Sequence, residues 1–180
     1  MSWRDSNGYG SSYTYDLNNN LSKWTYSAFG QTVTQSNTYG KDDLLKQSSA
    51  GGYVWTYTYD ALNRLTSKTP GVRTIRYTYV DAGENKTTSL LSSVSVDGLV
   101  SYGYTYDSFG NIKTISENGT LKVTYTYDQW NQLVKEVHNG GDTIEYTYDN
   151  GGNLLTKKVN GTVSQTYTYG NTEWRDLLTG

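Results

Sequence analysis

Polar and apolar positions in this chain alternate with a period of two, in short runs separated by turn-forming residues. The run Leu121-Lys122-Val123-Thr124-Tyr125-Thr126-Tyr127-Asp128 shows it best. A period of two puts Tyr125 and Tyr127 on one face of a strand, with Thr126 and Asp128 on the other. Nowhere does an apolar i, i+3, i+4 spacing last for three turns, so the pattern predicts strands and no helix.

The runs repeat. Tyr-Thr-Tyr-Asp starts at Tyr13, Tyr57, Tyr104, Tyr125 and Tyr146, with altered copies at Tyr77, Tyr167 and Asn37. From Tyr104 onward the starts lie 21 residues apart. A fixed period of about 20–50 residues marks a repeat architecture, in which one unit cannot bury its apolar face alone. The expected organisation is a single array over residues 1–180, with about eight repeats starting near 13, 37, 57, 77, 104, 125, 146 and 167. Residues 79–88 stretch one spacing to 27. The chain begins and stops inside the pattern, as expected for a piece excised from a longer protein.

Two turn signals punctuate each unit. Asp97-Gly98, Asn118-Gly119, Asn139-Gly140 and Asn160-Gly161 are two-residue hairpin signals, since a type I′ turn needs positive φ at both central residues. Gly98, Gly119, Gly140 and Gly161 are thus candidate structural turn residues. The second turn follows the motif aspartate, at Asp16, Asp60, Asp107, Asp128 and Asp149. Its third position is always Asn or Gly, which tolerate a left-handed backbone, and the Asp is placed to accept bonds from turn N–H groups. An apolar residue then restarts the chain: Leu21, Leu65, Ile112, Leu133 or Leu154. The fold class expected is all-β, an antiparallel β-hairpin repeat array whose hairpins stack edge to edge into a coiling sheet, with tyrosines in ladders on one face.

Composition narrows the function. There are 19 Tyr and 5 Trp but few aliphatic side chains, so aromatics are expected to supply the buried area. A net charge of −2 with scattered Lys and Arg leaves no basic footprint for nucleic acid. No apolar run is long enough to span a membrane as a helix. With no Cys there is no disulfide framework and no cysteine-based metal site or nucleophile.

The recurring Y-x-Y-D-x-x-[G/N]-[N/R/Q]-[L/I] resembles the YD repeat, or RHS repeat, of bacterial Rhs and wall-associated polymorphic toxins, the B/C components of insecticidal Tc toxins, and teneurins. The resemblance spans nearly the whole chain. It implies a spiral, solenoid-like sheet that is part of a β-shell, in a secreted or cell-surface bacterial protein, enclosing or presenting a C-terminal toxin or effector. The partners it implies are neighbouring YD repeats of the parent chain and an enclosed toxin polypeptide. The family's Asp-Pro-rich closing motif has no counterpart, since Pro70 is the sole proline.

Little in the chain points to catalysis or metal binding. His138, the single histidine, precedes Asn139-Gly140 and reads as an exposed turn residue. Successive motif aspartates would sit two strand spacings apart, ~9–10 Å, too far to share a cation. No catalytic residue, metal ligand or cofactor is expected. The sharper alternative is a carbohydrate- or cell-wall-binding module, since aromatic faces are platforms for sugars. Trp130, in a turn where other copies carry smaller residues, leads that candidate set with Tyr125, Tyr127, Tyr146 and Tyr148. Unpaired sheet edges add self-association as an expectation. N-x-S/T sequences at Asn20, Asn85, Asn118 and Asn160 read as by-products of an Asn- and Thr-rich chain.

Overall fold

The computed structural model describes residues 2–5, 8–81, 83 and 88–180, so Asn85 and most of the inserted stretch lie outside the described residues. The chain forms two compact units, residues 1–89 with 94–99 and residues 90–93 with 100–180. The first holds β1 (Ser2–Arg4), β2 (Gly10–Tyr15), β3 (Leu21–Ala28), β4 (Gln31–Tyr39), β5 (Leu45–Ala50), β6 (Tyr53–Tyr59), β7 (Leu65–Pro70) and β8 (Ile75–Tyr79). Strand β9 (Leu91–Val96) is shared. The second holds β10 (Val100–Tyr106), β11 (Ile112–Glu117), β12 (Thr120–Tyr127), β13 (Leu133–His138), β14 (Thr143–Tyr148), β15 (Leu154–Val159) and β16 (Thr162–Thr166). Strand order follows chain order, the paired strands are antiparallel, and no helix occurs among the described residues. This is the all-β hairpin array that the alternation predicts.

Within each unit strands touch only their chain neighbours, and no apolar side chain among the described residues is buried. The expected aromatic core is therefore absent. The motif tyrosines are mostly half-exposed, and the ring pairs among the described residues, Tyr9–Phe29 and Trp24–Tyr26, lie outside the regular copies. A sheet with no second layer packed on it has nowhere to hide a whole ring, so side chains are buried only by same-face neighbours.

Hydroxyl chemistry replaces the missing core. In six copies, Tyr15 and Tyr127 being the exceptions, the second tyrosine of the motif donates its hydroxyl to the carbonyl of the apolar residue that opened the preceding return strand. The bonds are Tyr39 to Leu21 (3.0 Å), Tyr59 to Leu45 (3.0 Å), Tyr79 to Leu65 (2.9 Å), Tyr106 to Leu91 (2.7 Å), Tyr148 to Leu133 (2.8 Å) and Tyr169 to Leu154 (3.0 Å). In five of these six the accepting residue lies two positions beyond the last backbone pair between the strands, such as Gln47↔Thr56 for Leu45 and Lys135↔Glu145 for Leu133. The phenol thus serves a carbonyl that the ladder no longer reaches, and such groups are costly to leave unpaired. A β-bulge at Tyr15, Tyr39, Tyr59, Tyr106, Tyr127 and Tyr148 bends the strand locally there. The middle threonine works on the other face, where Thr105 pairs with Thr114 at 2.6 Å and Thr147 with Thr156 at 2.7 Å.

The tight turns depart from expectation at two of four places. Asn118-Gly119 (φ 50° and 80°) and Asn160-Gly161 (φ 51° and 80°) have positive φ at both residues, as a type I′ turn requires. At Asp97-Gly98 and Asn139-Gly140 only the glycines do, at 68° and 73°. The loop after His138 is wider, closed by His138 N–H to Asp142 C=O at 3.0 Å. Repeat spacing survives because β12 pays for its shorter loop with a bulge beside Lys122, where the register jumps from Ser116↔Leu121 to Ile115↔Val123. Strand β14 has no bulge against β13 and reaches the equivalent register directly. All three turn asparagines also bond the preceding strand: Oδ1 of Asn118 accepts from Ser101 N–H and that of Asn160 from Thr143 N–H, while Asn139 Nδ2 donates to the Leu121 carbonyl, each at 2.9 Å.

Candidate functional site

The aspartate turns share one design. Asp107 Oδ1 accepts the N–H groups of Phe109 and Asn111, each at 2.9 Å, and its Oδ2 accepts Asn111 Nδ2 at 3.0 Å. Asp16, Asp60 and Asp149 repeat this, with Asn20, Arg64 and Asn153 on the second oxygen. The residue three after each Asp takes positive φ: Asn19, Asn63, Gly110, Asn131 and Gly152. Together with the bonds from Asp N–H to the residue four on, these are three-residue loops ending in a left-handed residue. Replacing Asp107 with alanine strands two turn N–H groups at once, and the melting temperature should fall by about 5 °C in a thermal melt. Asp107→Asn keeps an accepting oxygen and should lose less.

The closing residue of the loop also reaches the next repeat. Asn20 Nδ2 donates to Asp43 Oδ1 at 2.7 Å, Asn111 Nδ2 to Asn131 Oδ1 at 2.9 Å, and Asn153 Nδ2 to Asp176 Oδ1 at 3.0 Å. Asp43 and Asp149 are held below the ordinary carboxylate range, first by these side-chain amides, from Asn18 and Asn20 on Asp43 and from Asn153 on Asp149.

One turn departs from the design. Asp128 Oδ1 accepts Trp130 N–H and Gln132 N–H, each at 2.9 Å, but the closing residue is Gln132, and Asp128 Oδ2 receives no bond among the described residues. Between this turn and the one at Asp149 lies a groove of about 540 Å³, lined by Trp130, Gln132, Val134, Tyr146, Tyr148 and both aspartates, among others. Trp130 is 70% exposed. Gly152, at φ 88°, borders the groove, and a Cβ there would lie 3.1 Å from Gln132 Nε2. Of the five aromatic candidates, the structure brings Trp130, Tyr146 and Tyr148 together. Tyr125 and Tyr127 sit one hairpin earlier, paired with Glu136 and Leu133, and do not line the groove.

Glu136 is the centre of a cluster that the sequence reading passed over. Its Oε1 accepts the Tyr146 hydroxyl at 2.6 Å, and its Oε2 lies 3.2 Å from His138 Nε2. Burial, then the hydrogen bond and charge of Glu136, push the Tyr146 phenol up to about 12. Burial followed by the same charge raises Tyr125. His138 is therefore the last residue of β13 and a half-exposed partner of Glu136, and the exposed-turn reading is corrected. A signal existed: three residues after the restart apolar, other copies carry Trp24, Ser48, Lys68, Ile115 and Lys157, and only this one carries a carboxylate.

Hairpins of this design, clipped by tyrosine hydroxyls and aspartate turns, define a YD-type repeat protein. The sequence model of the RHS Repeat family matches residues 39–71 and 106–143, so these two stretches carry RHS repeats. No curated protein matches it. Among solved structures it resembles the crystal structure of TcdB2-TccC3-Cdc42, with TM-score 0.73 and 21% identity, over 93% of this chain and 10% of that one. TcdB2-TccC3 without its hypervariable C-terminal region gives TM-score 0.74 at 21% identity, again over 93% and 10%. The chain thus spans about a tenth of the solved chains it resembles, and at this identity the likeness is one of fold.

Proposed function

We propose that this array is a wall segment of a secreted or cell-surface bacterial YD-repeat protein, part of a shell that encloses or presents a C-terminal toxin or effector polypeptide. The array itself does no chemistry on this reading. The observation that carries it is the repeated clip: hairpins are tied to the next by backbone ladder, tyrosine hydroxyl and turn amide, with no buried apolar core among the described residues. A wall assembled this way extends by adding units, each contacting its neighbours only. Neighbouring repeats of a parent chain are its natural partners. The fold shared with TcdB2-TccC3, one of whose structures lacks a hypervariable C-terminal region, supports the assignment.

The test uses the full-length parent polypeptide under limited proteolysis. The segment following the array should resist protease while the array is folded and become sensitive when the array is unfolded. A segment digested equally fast in the intact protein and as a free peptide would contradict the enclosing role.

A further inference from the structure

We propose that the groove between the turns at residues 128–132 and 149–153 binds a neutral pyranose sugar. This inference stands on the groove alone and is independent of the wall reading. Two departures from the repeat meet there. Trp130 occupies a position held by Asn18, Leu62, Phe109 or Gly151 in other copies, and it lines the groove while 70% exposed. Gln132 replaces the Asn or Arg that elsewhere occupies the second oxygen of the turn aspartate. Asp128 Oδ2 and the Gln132 side-chain amide are consequently without hydrogen bonds among the described residues, beside an indole.

The chemistry of the three groups selects the ligand. An indole face has the flat apolar area and negative quadrupole that suit the C–H face of a pyranose. A carboxylate oxygen only accepts hydrogen bonds, whereas a glutamine amide both donates and accepts. Vicinal sugar hydroxyls, each donor and acceptor, can use both together. A quaternary ammonium ion would engage indole and carboxylate and leave the amide idle. The Tyr146 and Tyr148 hydroxyls already donate to Glu136 and the Leu133 carbonyl, so these rings contribute walls and can offer a sugar hydroxyl only an accepting oxygen. A concave site with an apolar surface and a few placed polar groups is the usual form of a small-ligand site.

The test is titration of the ¹⁵N-labelled chain with cellobiose and with N,N′-diacetylchitobiose, following the five indole N–H resonances, with choline chloride in parallel. The Trp130 resonance, assigned by its loss in Trp130→Ala, should shift saturably with a Kd on the order of 1 mM for at least one disaccharide. Trp174, which is 72% exposed, should not move. Calorimetry should show no binding to Trp130→Ala. Gln132→Asn restores the usual bond to the aspartate and should weaken binding about tenfold without lowering the melting temperature. The proposal is overturned if neither sugar moves Trp130, if Trp174 responds equally, if Gln132→Asn binds as well as the parent chain, or if choline alone gives the response.

Discussion

Converting Tyr59, Tyr106 and Tyr148 together to phenylalanine should lower the melting temperature by roughly 10 °C with no change of fold. Each substitution keeps the ring and removes only the hydroxyl that serves Leu45, Leu91 or Leu133. Leaving a part-buried carbonyl unpaired costs about 1 kcal/mol. The three sites share no partner, so their effects should add to about 3 kcal/mol. For a chain of this length each kcal/mol moves the midpoint by about 2–4 °C. The control is the first tyrosine of the motif: neither Tyr57 nor Tyr104 makes a hydroxyl bond among the described residues, and their conversion to phenylalanine should be nearly silent. Equal losses from Tyr104→Phe and Tyr106→Phe in calorimetric melts would show that ring packing, and not the hydroxyl clip, sets the stability.

The second large effect is a stability plateau bounded on both sides by pH. Tyr59, Tyr106, Tyr125, Tyr127, Tyr146 and Tyr148 all ionise above 10.0 in the folded chain, in every case first because burial disfavours the phenolate. An acid whose folded value is raised contributes stability that is fully present below its unfolded value and is lost as pH climbs toward the folded one. Unfolding above about pH 10 should therefore release several protons, and the denaturant midpoint should fall steeply there. At the acid end the sign reverses. Amide bonds lower Asp43 and Asp149, while in Asp60 and Asp107 a burial effect that would raise the value is outweighed by hydrogen bonds, led by those from Arg64 and Asn111. Their contribution is present above the ordinary value of 3.8 and is lost as pH falls below it. Denaturant midpoints measured across pH check both limbs, and a flat alkaline limb would sink this account. The triple phenylalanine variant removes three of the six tyrosines and should flatten that limb.

Much of the fold is legible in the sequence for a physical reason: strand periodicity and turn chemistry are local. Asn131 and Gly152 occupy one turn position because that position needs positive φ, and the aspartate before it accepts N–H groups only two and four residues away. The candidate site was half legible. Trp130 breaks the pattern visibly, but pairing it with Tyr146 and Tyr148 and excluding Tyr125 depends on which hairpin faces which turn. Glu136 was hidden because its partners are 2 and 10 residues away on a strand and its neighbour.

The order and direction of the hairpins and the aspartate turns follow from residues within one repeat, and so from sequence alone. Whether the tight turn has two residues or three was decided by tertiary structure, because a bulge beside Lys122 offsets the difference and leaves the 21-residue spacing unchanged. The role of the tyrosines was decided there too. A tyrosine ladder and a tyrosine hydroxyl clip have the same alternation, and only the end of the neighbouring backbone ladder, two residues short of Leu45 or Leu133, leaves a carbonyl for the phenol to take.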